Sequence, residues 1–216
     1  MVGDSVGMTF SGAVVEGLAG TGARLEAQNW MGFGLTSGSP GLIEGERHEG
    51  APNFANWPER FAAFVEGYDP DAVVVLIGAW DVFDREVLGR WLVPGTPEWR
   101  TWYDRLLDDA VEILTGRGAH LYWLTFPCTD TYRDDRVPVV NDAYRALTAR
   151  WPDRITLVDL HAEVCPGGRY EPSYPVPDGT TALVRDDDGV HFDMYVTTTA
   201  LAPWVRGWIL AGLGLG

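Results

Sequence analysis

A serine near the amino terminus and an aspartate–histidine pair near the carboxyl terminus carry the chemistry this sequence could perform. A serine hydroxyl is a poor nucleophile at neutral pH until a base takes its proton. Histidine is the usual base, and it works best when a carboxylate fixes its tautomer. In Asp188-Gly189-Val190-His191 the two groups lie three residues apart in a loop-like stretch, so one short turn can carry both. Ser5 follows a short apolar lead and Gly3-Asp4 and opens a helical run, which is a strand–turn–helix signature. That signature puts its hydroxyl at the carboxyl end of a strand and its amide at a helix start, aimed at whatever binds there. Acyl transfer also needs donors for a developing oxyanion. Ser5 N–H is one candidate, and Gly32 and Gly34 are others, since bare backbone can approach a substrate closely.

The elements that must position these groups follow from periodicity. Residues 6–18 read as a helix, 23–28 as a second strand, 29–56 as a long Gly- and Pro-rich loop, and 57–66 as a short helix. Residues 71–78 hold a continuous β-branched run, the pattern of a strand buried on both faces of a parallel sheet. Residues 96–115 and 137–150 read as helices, 119–125 and 155–160 as strands, 161–190 as loop, and 193–210 as a closing helix. Strands alternating with helices predict an α/β chain whose parallel sheet is covered on both faces. Ligands bind outside the carboxyl ends of such strands. The loops at Ser5, 29–36, 78–81, 126–136 and His191 should therefore gather at one rim.

Composition narrows the partners. The 216 residues fit one domain, 1–216, with a sizeable core. A net charge of −15 argues against nucleic acid and against an anionic membrane surface. All 16 cations are arginine, so no Schiff-base or P-loop lysine exists. That absence and the acidic balance also count against a flavodoxin-like nucleotide binder using the glycines around Ser5. No stretch is long and apolar enough to span a membrane. The run 200–215 is broken by Pro203 and Arg206 and reads as a packed helix. Two residues before Gly3 make a very short first strand, which suggests an excised domain or an early start site. Cys128 and Cys165 are too few for a metal site or a disulfide scaffold. They follow neighbouring strands onto the same rim, so a disulfide between them is expected. It would imply an extracytoplasmic, oxidising compartment; two free thiols would imply the cytoplasm.

Other residues have plainer readings. Ser5 alone would suit a helix cap, and His191 alone a structural histidine; their pairing favours catalysis. Asp4 reads as a turn hydrogen-bonder, and His48, His120 and His161 as structural. The run Asp186, Asp187, Asp188 reads as a solvated turn rather than a calcium site. Among ten tryptophans, Trp80, Trp91 and Trp99 sit in or beside the loop after the third strand, where they could stack on a sugar.

Together, Gly3-Asp4-Ser5, residues 29–36, Gly78-Ala79-Trp80-Asp81 and Asp188 with His191 resemble the blocks of the SGNH (GDSL) hydrolase family over nearly the whole chain. The resemblance implies a three-layer, flavodoxin-like fold with a five-stranded parallel sheet. It also implies a Ser-His-Asp triad and esterase, lipase or acyl-transfer chemistry with no metal and no cofactor. Gly34 matches the second block better than Gly32, and Trp80 and Asp81 fall in the substrate-facing third block. Gly-Ala-Trp-Asp, residues 95–99, residues 164–168 and residues 188–192 further resemble SGNH domains fused to bacterial membrane acyltransferases that O-acetylate surface glycans. Trp80 stands where the family has an oxyanion asparagine, and losing such a donor can cost on the order of 10²–10³ in turnover. The expected function is serine-dependent hydrolysis or transfer of small acyl esters, acetyl on a carbohydrate above all. The alternative is a catalytically weakened carbohydrate-binding domain.

Overall fold

Five short parallel strands, the central ones buried between helices, place the loops that matter. The computed structural model describes residues 1–130 and 133–214. In chain order the first half contains β1 (Val2–Gly3), α1 (Ser5–Gly17), β2 (Gln28–Asn29), β3 (Gly41–Ile43), β4 (Glu46–His48), α2 (Pro52–Ala55), α3 (Trp57–Tyr68), β5 (Ala72–Leu76), β6 (Asp84–Val87) and β7 (Arg90–Leu92). The second half contains α4 (Pro97–Thr115), β8 (His120–Leu124), α5 (Val137–Arg150), β9 (Ile155–Val158), α6 (Leu160–Val164), β10 (Ser173–Pro175), β11 (Thr181–Leu183), α7 (Met194–Val196) and α8 (Ala202–Leu213).

The main sheet has the order β2-β1-β5-β8-β9, with every pair parallel. Counting only these strands, the order is 2-1-3-4-5, the flavodoxin-like arrangement. The expected α/β class with a five-stranded parallel sheet is what the chain adopts. Alternation along β8 sorts the helices by face. Tyr122 packs on Trp208 of α8, with ring centroids 5.3 Å apart, and the next residue, Trp123, packs on Tyr144 of α5 at 5.4 Å. Helix α1 packs with α8, while α4 packs with both α3 and α5. The strand order reverses at β1, between β2 and β5. Ligands in open α/β sheets bind at that reversal, and the loops after β1, β2 and β5 meet there.

Several expectations need correction. The second strand is not at 23–28 but at Gln28–Asn29. A parallel partner is only as long as the edge it pairs with, and β1 offers just Val2 and Gly3. Residues 29–56 are not all loop: β3 and β4 form a hairpin, which joins the hairpin β6–β7 in a four-stranded sheet of order β4-β3-β6-β7. This small sheet clips the excursion after β2 to the excursion after β5. Residues 161–190 likewise contain most of α6 and the hairpin β10–β11. The closing helix is interrupted by a π-helical turn, Thr197–Leu201. There Thr197, Thr198 and Thr199 turn their hydroxyls onto the carbonyls of residues 193–195, a habit that bends helices. Two expectations, the rim loop 126–136 and the run 200–215, partly fall outside the described residues. No helix among the described residues is long and apolar enough to cross a membrane.

Cys128 and Cys165 are joined by the expected disulfide. It ties the loop after β8 to the end of α6 across 37 positions of sequence. A crosslink over such a span stabilises by about 2–4 kcal/mol. At about 2–4 °C per kcal/mol for a chain of this size, reduction should lower the melting temperature by about 4–16 °C. Calorimetry with and without reductant tests this; identical melting temperatures would contradict it.

Candidate active site

Asp4 governs the environment of Ser5. As the N-cap of α1 it accepts the Val6 and Gly7 N–H groups on Oδ1 at 2.9 and 3.1 Å. Its carbonyl accepts Met8 N–H at 2.9 Å. Of the first four amides of α1, only Ser5 N–H is left without an acceptor among the described residues. Free amides at a helix start attract negative charge. Asp4 Oδ2 meanwhile accepts Gly78 and Ala79 N–H, each at 3.1 Å. One carboxyl group thus fixes the loop after β5 against the start of α1. Asp4 is fully buried, and burial pushes its pKa up to about 6, against the downward pull of the backbone donors.

The Asp188–His191 turn is assembled as a unit. Asp188 Oδ1 accepts the N–H groups of Val190 and His191 at 2.8 and 2.9 Å, and its Oδ2 meets His191 Nδ1 at 2.5 Å. Partial burial raises the Asp188 pKa, but the hydrogen bonds from the His191 ring and the two amides outweigh it and hold it below the ordinary carboxylate value. With Nδ1 engaged by a carboxylate, Nε2 is the free basic nitrogen of the ring. The turn is pinned on several sides. Phe192 N–H donates to Thr9 Oγ1 of α1 at 3.1 Å, and Asp130 N–H donates to the Gly189 carbonyl at 2.9 Å. Gly189 has φ +69°, and a β-carbon there would come within 2.6 Å of Asp130 Cβ, so the turn needs glycine. Arg185 is buried beneath it, its guanidinium 3.8 Å from the Phe192 ring centroid and Nη2 3.3 Å from the Cys128 carbonyl. Burial lowers its pKa to about 10, which still leaves it cationic at neutral pH.

The glycine and tryptophan loops meet beside Ser5. A β-carbon on Gly34 would lie 2.6 Å from Asp81 Oδ1 and 3.1 Å from Trp80 Cβ, so only glycine fits there. Gly34 N–H has no acceptor among the described residues. Gly32 instead turns at φ +78° against Phe54. Asp81 does not face the cavity beside Ser5, contrary to its expected substrate-binding place. It is fully buried, with Oδ1 accepting Thr36 N–H and Oγ1–H at 3.0 and 2.8 Å and Oδ2 accepting Tyr103 O–H at 3.0 Å. Burial, then the Asp81 charge, pushes the Tyr103 hydroxyl well above its ordinary pKa, so it remains a donor. Arg85 completes the network, donating from Nε to Thr36 Oγ1 at 3.1 Å and from Nη2 to the Trp80 carbonyl at 2.6 Å. These residues hold the Gly34 and Trp80 loops together from behind.

Ser5, Trp80, Asp188 and His191 share the wall of one cavity of about 240 Å³. The two chain ends thus open onto a common space. Gly32, Gly34 and Asp81 are not part of its lining. Of the other tryptophans proposed for sugar stacking, Trp99 is wholly buried and stacked on Tyr103 at 4.7 Å, and Trp91 lies on the edge strand β7, outside the cavity. His161 is held at the Phe126 carbonyl, 3.2 Å from Nδ1, and His120 at Thr156 Oγ1, 2.8 Å from Nε2. Sequence reasoning missed Arg185, which beside three aspartates reads as part of a solvated run. It also missed Thr9, for which no local signal exists.

No curated protein matches the chain. Solved structures do. LAE5, an alpha/beta hydrolase enzyme from the metagenome of Lake Arreo, Spain, aligns with 99% of this chain and 93% of its own at TM-score 0.59 and 18% identity. A protein of Slackia heliotrinireducens described as an SGNH hydrolase aligns over 95% and 94% at TM-score 0.53 and 16% identity. The acetyl xylan esterase AlAXEase aligns over 98% and 98% at TM-score 0.52 and 14% identity. At such identities the likeness speaks for the fold, which is that of the SGNH hydrolases. Residues 1–198 match the sequence model of a family described as "Protein of unknown function (DUF459)", and the chain belongs to that family.

Proposed function

We propose that this chain is a serine-dependent acyl-ester hydrolase, with 1–216 acting as a single domain. The observation that carries the reading is the preassembled Asp188–His191 pair on the wall of the cavity that Ser5 also lines. In the first step Ser5 Oγ attacks the acyl carbonyl carbon while His191 Nε2 takes the hydroxyl proton. Asp188 holds the imidazole in the tautomer this requires and stabilises the imidazolium. The free Ser5 N–H holds the carbonyl oxygen as it gains charge. The bond to the alcohol oxygen then breaks, His191 returns the proton to that oxygen, and the acyl group stays on Ser5. Water repeats the cycle: its proton goes to His191, its oxygen joins the acyl carbon, and the carboxylic acid departs as Ser5 regains its proton. A sugar hydroxyl in place of water would make the same site an O-acyltransferase.

The alcohol side of the substrate is read as carbohydrate, supported by a fold shared with an acetyl xylan esterase. The Cys128–Cys165 bond favours an extracytoplasmic setting. The acidic chain has no use for nucleic acid in this scheme. A second reading, a carbohydrate-binding domain with decayed catalysis, draws on Trp80 in the place of an oxyanion amide. A fluorophosphonate probe separates the two, with the adduct located by mass spectrometry. Labelling at Ser5 is the expected result, whereas an unlabelled Ser5 would leave the binding reading in possession.

A further inference from the structure

We propose that the cavity beside Ser5 is an acyl pocket for medium-length chains, of about four to eight carbons, rather than for acetyl. The inference rests on the esterase reading above and refines it. Away from Ser5, Asp188 and His191 most of the wall is apolar, with Ala79, Trp80, Val82, Phe83, Phe126 and Val190 on it, and Thr129 and Arg133 are its polar members. Trp80 and Phe83 pack on each other with centroids 5.6 Å apart, so the aromatic wall is continuous. These side chains come from the loop after β5, the loop after β8 and the histidine turn, each anchored by the contacts already described. An apolar wall of this kind rewards apolar surface removed from water.

Volume decides the chain length. At roughly 30 Å³ per water-sized group, the cavity's 240 Å³ holds about eight such groups. Acetyl offers one methyl beyond its carbonyl and would leave most of the space to water against aromatic rings. A butanoyl to octanoyl chain fills it, with the remainder left for the first atoms of the alcohol. Each buried methylene is worth about a fourfold gain in kcat/KM when fully desolvated, until the far wall is reached.

The test is a series of p-nitrophenyl esters from acetate to dodecanoate with the intact protein. The expected profile rises by at least tenfold in kcat/KM from acetate to hexanoate and falls again by dodecanoate. Ala79→Leu, which adds bulk on the cavity wall, should lower the hexanoate-to-acetate ratio by about tenfold or more, because it removes space for roughly three carbons. A flat series, or acetate as the best substrate, would overturn the pocket assignment while leaving the esterase reading intact. No turnover of any ester, together with no fluorophosphonate label on Ser5, would remove the esterase reading and this inference with it.

Discussion

Replacing Ser5 with alanine should lower kcat by about 10⁶, His191→Ala should cost nearly as much, and the double variant should be no worse than either alone. The non-additivity follows from the proposed proton path: a base without a nucleophile and a nucleophile without a base are equally idle. Asp188→Asn should cost about 10⁴, for a reason visible in the turn. The asparagine carbonyl oxygen would take the place of Oδ1, where the Val190 and His191 amides demand an acceptor. Its NH₂ would then face His191 Nδ1, where Oδ2 now sits. A donor there forces Nδ1 to accept and moves the ring proton to Nε2, the nitrogen that must act as base. Steady-state kinetics on esters of the preferred chain length measure the losses. Circular dichroism separates them from misfolding. Turnover within tenfold of wild type for Ser5→Ala would put the nucleophile elsewhere.

The parts legible from sequence were those whose signal is local. The run Ala72–Leu76 is almost wholly apolar because both faces of its strand are covered, and α5 was placed at its observed bounds by its periodic apolar face. The antiparallel sheet escaped notice because nothing local encodes it. Strand β4 is Glu-Arg-His, exposed throughout, and β3 finds its other partner, β6, some forty residues further on. Such strands are specified by backbone pairing across long loops, and periodicity does not register that. The second strand was misplaced for a related reason. Residues 23–28 alternate apolar and polar as a strand would, but the register Val2↔Gln28 and Gly3↔Asn29 ends where β1 ends.

Within the site, legibility followed the same rule. Asp188 and His191 could be paired because one turn carries both. Asp81 was misjudged because an aspartate beside a glycine-rich loop resembles a ligand contact, whereas every one of its bonds points into the protein. Arg185 was missed for the opposite reason: its acidic neighbours suggested solvent, yet its charge lies under the Phe192 ring. Each buried charge has at least one partner far away in sequence, Thr36 and Tyr103 for Asp81 and the Cys128 carbonyl for Arg185. Such groups act by holding loops in place, and composition does not reveal which loops.

Asp4→Asn should be among the most destabilising single substitutions in the protein, by about 2–5 kcal/mol. Asparagine can still accept Val6 and Gly7 N–H through its carbonyl oxygen, but its NH₂ would confront the Gly78 and Ala79 amides, leaving buried donors face to face. The loop after β5 would separate from the start of α1, so Trp80 and Ser5 would lose their fixed relation and activity should fall with stability. The pH dependence carries the sharper test. The folded pKa of Asp4, about 6, lies above the ordinary 3.8, so the folded protein binds this proton more tightly than the unfolded chain does. Its contribution to stability is therefore complete below about pH 4 and is lost as pH rises through 6. The asparagine variant has no such proton, and so the stability gap between it and wild type should narrow by about 2 kcal/mol from pH 4 to pH 7. Urea denaturation of both proteins across that range measures the gap. A gap that widens instead would mean that the four amides outweigh burial and that Asp4 is held as a carboxylate at every pH where the fold persists.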